Sequence, residues 1–160
     1  MERAVTHQLE SHLGIAGLIP RHHSAYRKGR STETVLLKVC SDLTDMMDSG
    51  QHALLALLDL SSAFDTVDHD ILLTRLSRSF GVRGDVLSWM RSYLSGRCYT
   101  VRFGGTKSSS RHMLYGVPQG SVLGPLLFVL YTADLGGIAN KHGVNSRLTA
   151  ARVSSTSRSR

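Results

Sequence analysis

Near the start of the chain, apolar residues recur at helical spacing (Ala4, Val5, Leu9 and Leu13) until Gly14, Gly17 and Pro20 close the segment. The pattern predicts a short amphipathic helix over residues 2–13. A basic polar stretch, Arg21 to Arg30, leads to a second helix. There Ser31 suits the N-cap and Glu33 the first turn. Val35, Leu36, Val39, Leu43, Met46 and Met47 form the apolar stripe, and Ser49-Gly50 the stop. Residues 53–60, Ala-Leu-Leu-Ala-Leu-Leu-Asp-Leu, are an almost unbroken apolar run with the length of a strand buried on both faces, although a short buried helix fits the same pattern. Further helices are predicted from Val67 to Ser79 and from Asp85 to Leu94, the latter closed by Gly96. Cys98 to Phe103 alternates as a strand does, and Arg111 to Tyr115 can pair with it across Gly-Gly-Thr-Lys-Ser-Ser-Ser. Gly116 to Gly120 reads as a tight loop. Ser121 then caps a strongly apolar helix to Leu135, which tolerates Pro125 in its first turn because no backbone donor is needed there.

Several helices against a small sheet place the chain in the α/β class. Residues 1–146 form the predicted domain, and residues 147–160, rich in Ser, Thr and Arg and without periodicity, a disordered tail. A chain of 160 residues can bury a sizeable core. Its longest apolar stretch, Val122 to Ala133, is broken by Gly124 and Pro125 and falls short of the ~20 residues that span a bilayer. No membrane association is expected. Met1 is followed by Glu2 and Arg3 rather than an apolar leader, and Cys40 and Cys98 have no zinc-binding spacing. Together these features suggest an intracellular protein with reduced thiols, in cytoplasm or nucleus. The eight histidines show no paired ligand spacing, and nothing in the sequence points to an oligomer.

The net charge of +7 is unevenly spread. Residues 141–160 carry five basic residues and no acid, whereas residues 1–140 carry 14 basic and 12 acidic residues, a balance of +2. Within that body, residues 42–70 hold seven aspartates and no Lys or Arg, and residues 75–111 hold eight basic residues against Asp85 alone. An acidic block beside a basic one suits a site where carboxylates hold cations and cations hold a polyanion; two solvated faces of opposite charge would look the same.

Asp59 is the most informative residue. It lies near the C-terminal end of an apolar run, where a carboxylate is costly to bury unless a cation or hydrogen-bond donors satisfy it. Such an end is where ligands collect in α/β folds, and it is also where an N-cap for the next segment would stand. Asp65, Asp68 and Asp70 read as caps or decoration of the following helix.

The run from Leu58 to His69, Leu-Asp-Leu-Ser-Ser-Ala-Phe-Asp-Thr-Val-Asp-His, resembles the first palm motif of reverse transcriptases from LINE-class, non-LTR retrotransposons. The stretch Gly116 to Phe128 resembles the second palm motif of that family, and Ser24 to Thr34 a fingers segment, in the family's order and approximate separation. The resemblance runs from about Glu2 to Val144. It implies a partial fingers–palm fold and RNA-directed DNA polymerisation, with an RNA template, a DNA primer, deoxynucleotides and two Mg2+ ions.

By the same resemblance Asp59 is the catalytic and metal-ligating carboxylate of the first motif, and the Leu60 carbonyl a further oxygen at the nucleotide. Phe64 lies under the nucleotide sugar, excluding a 2′-hydroxyl, although its residue type alone suits core packing as well. Gln119 and Gly120 contact the incoming nucleotide and its template base, with Pro118 stiffening the loop. Arg27, Lys28 and Arg30 reach template phosphates or form a solvated loop, and the basic residues between Arg75 and Arg111 suit a nucleic-acid channel. The family's third palm motif carries adjacent aspartates, and no Asp-Asp pair occurs in this sequence. Spacing from Lys141-His142-Gly143 puts Ala151 and Arg152 in their place. The basic segment expected ahead of the region matching Glu2 is missing, as are thumb and endonuclease regions. These departures predict a chain that is inactive as a polymerase, or a non-catalytic relic that binds nucleic acid weakly through its basic residues.

Overall fold

A computed structural model describes residues 1–19, 32–52, 55 and 62–143. In chain order these form α1 (Glu2–Ile15), α2 (Thr32–Asp48), α3 (His69–Arg78), α4 (Gly84–Leu94), β1 (Cys98–Tyr99), β2 (Arg102–Phe103), β3 (Thr106–Lys107), β4 (Arg111–His112), α5 (Gly124–Tyr131) and α6 (Asp134–Lys141). The expected apolar run at 53–60 and the expected tail at 147–160 lie outside the described residues. Helices with small antiparallel sheets agree with the expected mixed class.

The chain divides into two compact units, one holding α1, α3, α4, the four strands and α5, the other holding α2 and α6. In the first unit α3 packs against both α4 and α5. Leu72, Leu73 and Leu76 supply the buried face of α3, Met90 and Leu94 that of α4, and Leu9 and Leu13 that of α1. Leu126, Leu127, Val129 and Leu130 supply that of α5, and each leucine fully withdrawn from water contributes about 2 kcal/mol. Asp68 caps α3, its Oδ1 accepting from the Ile71 amide at 2.9 Å, while Arg75 and Arg78 stand in the last turn where the helix dipole favours cations. The cap agrees with the expected role of Asp68. Gly81, at φ +68°, then lets the Val82 amide return to the Leu76 carbonyl at 2.9 Å, which closes the helix. His12 on α1 donates from Nε2 to the Phe80 carbonyl at 2.8 Å and ties the first helix to this end of α3.

The expected single helix from Ser121 to Leu135 is instead two, α5 and α6. Its start is delayed because the Ser121 hydroxyl accepts from the Gly124 amide at 2.8 Å, so the helix proper begins at Gly124 with Pro125 in the first turn. Its end comes early because the Thr132 hydroxyl donates back to the Phe128 carbonyl at 2.9 Å, a local bond that competes with continuing the helix. Of the stripe expected on α2, Val35, Val39, Leu43 and Met46 are partly buried, whereas Leu36 and Met47 are exposed, so the buried face is narrower than expected; Gly50 follows the helix at φ +67°.

Residues 98–112 form a nested hairpin. β1 pairs with β4 (Cys98 with His112, Tyr99 with Arg111), and β2 pairs with β3 (Arg102 with Lys107, Phe103 with Thr106). The expected pairing of 98–103 with 111–115 thus holds at the base. The connection that reads as a loop contributes β3, because Gly104 and Gly105 both take positive φ, as a two-residue hairpin turn requires.

Candidate functional site

The two stretches singled out from the sequence meet in the first unit. Residues 62–65 turn sharply, with Ser62 at φ +54° and the Asp65 amide donating to the Ser62 carbonyl at 2.8 Å. A left-handed serine stores strain that the surrounding bonds must hold. The Val117 amide donates to the Phe64 carbonyl and the Gly116 amide to the Val67 carbonyl, each at 2.7 Å, and Asp68 pairs with Tyr115 in an isolated antiparallel bridge. His69 completes the crossing by donating from Nε2 to the Gly116 carbonyl at 2.7 Å.

Gly116 is what permits so close a crossing. Its φ is +94°, and a Cβ there would stand 3.0 Å from both the Asp65 Cα and the Phe64 carbonyl oxygen. Here backbone lies against backbone, so no side chain can swing away to make room. Gly124 does the same one step on, since a Cβ there would lie 2.6 Å from the Ser121 Oγ and 3.1 Å from the Pro118 oxygen.

Gln119 reaches across from the loop to Asp65. Its amide nitrogen donates to both carboxylate oxygens, at 3.1 and 3.2 Å, which directs the side-chain carbonyl away as a free-facing acceptor. Both side chains are exposed, so this bond positions more than it stabilises. Gly120 has φ +77°, and the space where its Cβ would lie is open. Phe64 is half-buried, its ring 5.3 Å from that of Phe128 on α5, so core packing accounts for at least one face of it.

A second anchor holds the far end of the loop. Glu2 accepts from the Tyr93 hydroxyl through Oε1 and from the Val122 amide through Oε2, each at 3.0 Å. Burial pushes the Tyr93 hydroxyl above its ordinary pKa of 10.0, with the Glu2 carboxylate acting in the same direction against the opposing effects of Ser121 and Arg97. Arg97 lies 4.6 Å over the Tyr93 ring and donates to its backbone carbonyl at 2.7 Å.

Of the residues expected at the site, Phe64, Gln119 and Gly120 are brought to one crossing. Asp59, Leu60, Arg27, Lys28 and Arg30 lie outside the described residues. Of Asp65, Asp68 and Asp70, expected to cap or decorate the start of the following helix, Asp68 takes the cap and Asp70 stands in its first turn, while the Asp65 carboxylate is turned to Gln119 instead. The adjacency of Asp65 to Phe64, and of Gly116 to Val117-Pro118, was the signal for these two residues, but only the fold shows that they face each other. Among the described residues no three His, Cys, Asp or Glu side chains are grouped as a metal would require. No helix among them is long and apolar enough to cross a membrane.

Residues 1–149 match the family described as reverse transcriptase (RNA-dependent DNA polymerase). The chain is 34% identical over 134 residues to the probable RNA-directed DNA polymerase from transposon X-element of Drosophila melanogaster, which covers 84% of this chain and 14% of that protein. It is 33% identical over 134 residues to the corresponding protein from transposon BS of the same organism, covering 84% and 15%. The RNA-directed DNA polymerase from mobile element jockey, also of Drosophila melanogaster, is 33% identical over 135 residues, covering 84% and 14%. The chain therefore spans about one seventh of the length of these relatives.

Proposed function

Because the chain belongs to the reverse transcriptase family, alongside the RNA-directed DNA polymerases of non-LTR retrotransposons, we propose that it is a partial fingers–palm region that binds nucleotide and template–primer without polymerising. One observation carries this reading: Gln119, 54 residues from Asp65 in sequence, is fixed against it, at the crossing that joins the two stretches of palm-motif resemblance. A lone Pro-Gln-Gly is a common turn; one clamped to the residue after Phe64 is a built loop. In this reading the Gln119 carbonyl faces the nucleotide and its template base, Gly120 leaves room for substrate on its open side, and Phe64 presents the edge left free by Phe128 to the sugar. The domain comprises residues 1–146, and 147–160 serve as a tail. Arg27, Lys28 and Arg30 contact template phosphates.

The residues present do not fit a pair of Mg2+ ions. Asp59 supplies one carboxylate, both Asp65 oxygens are engaged by Gln119, and the sequence places Ala151 and Arg152 where two further carboxylates are expected. Two divalent cations need more oxygen ligands than this. The chain's own residues can bind and orient substrates, through hydrogen bonding at Gln119 and charge at the basic side chains, but they lack the donors that make the transfer step fast. This favours binding over catalysis.

Two measurements test the proposal. Anisotropy titration of a labelled template–primer should show weak, sequence-indifferent binding. With about five phosphates contacted, the logarithmic salt slope measured on a single strand should be roughly −3 to −4. Primer extension on an RNA template with Mg2+ and deoxynucleotides should give no product. Salt-indifferent binding would remove the channel, and Mg2+-dependent extension abolished by Asp59→Ala would show an active polymerase.

A further inference from the structure

The nested hairpin is the part of the first unit that the clamp does not use. Every residue from Val101 to Ser110 is exposed, and Phe103, beside the turn, is 87% exposed. A phenyl ring left in water at the tip of a two-residue ladder contributes nothing to the core, and a ladder this short is marginal by itself. The pairing carries a further cost, because Arg102 and Lys107 are directly opposed and like charges across a ladder repel. No acidic residue occurs anywhere between Asp85 and Asp134 to offset them, while Arg91, Arg97, Arg102, Lys107 and Arg111 all fall in that interval.

The tip also has a defined shape. Gly104 at φ +54° and Gly105 at φ +80° form a tight turn whose glycines have open space where side chains would lie. With Arg102, Phe103 and Lys107 they line an open recess of about 440 Å³. Lower on the same hairpin Tyr99, 52% exposed, is paired with Arg111. The hairpin thus presents two exposed aromatic rings among Arg102, Lys107 and Arg111 in a segment without acids, and the Arg102–Lys107 repulsion is of a kind that a polyanion relieves.

We infer that the hairpin tip is a docking site for an unpaired segment of nucleic acid, one base stacking on Phe103 while Arg102 and Lys107 hold the flanking phosphates. The aromatic face accepts any base, so sequence preference is not expected. The side-chain-free turn lets the sugar–phosphate backbone come close. Bases inside a duplex cannot use the site, because both of their faces are already stacked. The inference rests on the nucleic-acid-binding reading given above, and extends it from the palm crossing to a separate surface engaging single strands.

The test is anisotropy titration of the full chain with labelled oligothymidine, oligouridine and an abasic strand, each of about a dozen nucleotides. Phe103→Ala should weaken the two base-bearing strands by about 5- to 150-fold, the range lost with one stacked base, and leave the abasic strand unchanged. Phe103→Trp should retain binding. Arg102→Ala with Lys107→Ala should make the salt slope shallower by about 1.4 on every strand. Because Phe103 is exposed, the alanine variant should keep the wild-type circular dichroism. Equal binding by wild type and Phe103→Ala, or an equal loss on the abasic strand, would overturn the stacking site while leaving the palm reading intact; failure of every strand and of template–primer to bind would remove both. Sedimentation that shows self-association abolished by Phe103→Ala, with strand binding unaltered, would assign the ring to a second copy of the chain and also overturn the inference.

Discussion

The crossing at Gly116 and the hairpin tip at Phe103 are both built on glycines with positive φ, yet they put those glycines to opposite use. At the crossing, the missing side chain lets two backbone segments touch, with Asp65 Cα only 3.0 Å from where a Cβ would be. At the tip, Gly104 and Gly105 meet nothing within 4 Å, and the missing side chains leave a surface bare. The first glycine serves the fold and the other two serve access. A residue type by itself does not say whether a position is for stability or for recognition; its surroundings do.

The largest expected effect comes from closing the crossing. Gly116→Ala forces both a steric overlap with immobile backbone and a left-handed alanine, and should cost about 3 kcal/mol, seen as a fall in Tm of roughly 6–12 °C. Gly104→Ala provides the contrast: it pays the conformational term alone, about 1 kcal/mol, and equal losses for the two variants would show that the clamp is not tight. Asp68→Ala, which removes the cap on α3, should likewise cost about 1 kcal/mol in urea denaturation, and a much smaller loss would mean that the Asp68–Tyr115 bridge and not the cap holds this segment. Phe103→Ala should change stability by less than about 0.5 kcal/mol, since nothing is unburied; a larger loss would make the tip part of the core.

The smallest effect concerns pH. The Tyr93 hydroxyl is held above its ordinary value of 10.0, chiefly by burial, so the folded chain keeps a proton that the unfolded chain releases. Its contribution is complete below pH 10.0 and is lost as pH rises through the raised folded value. Stability measured from pH 9 to 11 should therefore fall less steeply in Tyr93→Phe than in the wild-type chain.

Periodic features were readable from sequence, and long-range ones were not. The expected limits of α3 and α4 fall within two residues of those observed, because Asp68, Gly81 and Gly96 mark their ends with local chemistry. The hairpin base was foreseen from alternation, whereas β3 was missed because Gly-Gly-Thr-Lys reads as a connection unless both glycines are given positive φ. The division between α5 and α6 has no signature in the periodicity, since Thr132 acts through hydroxyl bonds to the carbonyls of Phe128 and Val129 that its residue type does not announce. At the site, Phe64, Gln119 and Gly120 were named by resemblance. Asp65 was assigned to the helix start because Gln119, its actual partner, lies 54 residues away and no periodicity links the two.

Glu2 has a bearing on how this chain comes off the ribosome. Its carboxylate waits for the Val122 amide, 120 residues later, and for Tyr93, 91 residues later, while His12 waits 68 residues for Phe80. At roughly 5–20 residues per second, α1 exists for on the order of ten seconds before the loop that completes its anchoring has been made. Helix α1 is thus made well before its anchoring is complete, and nascent chains halted before Val122 should leave it open to chaperones and proteases.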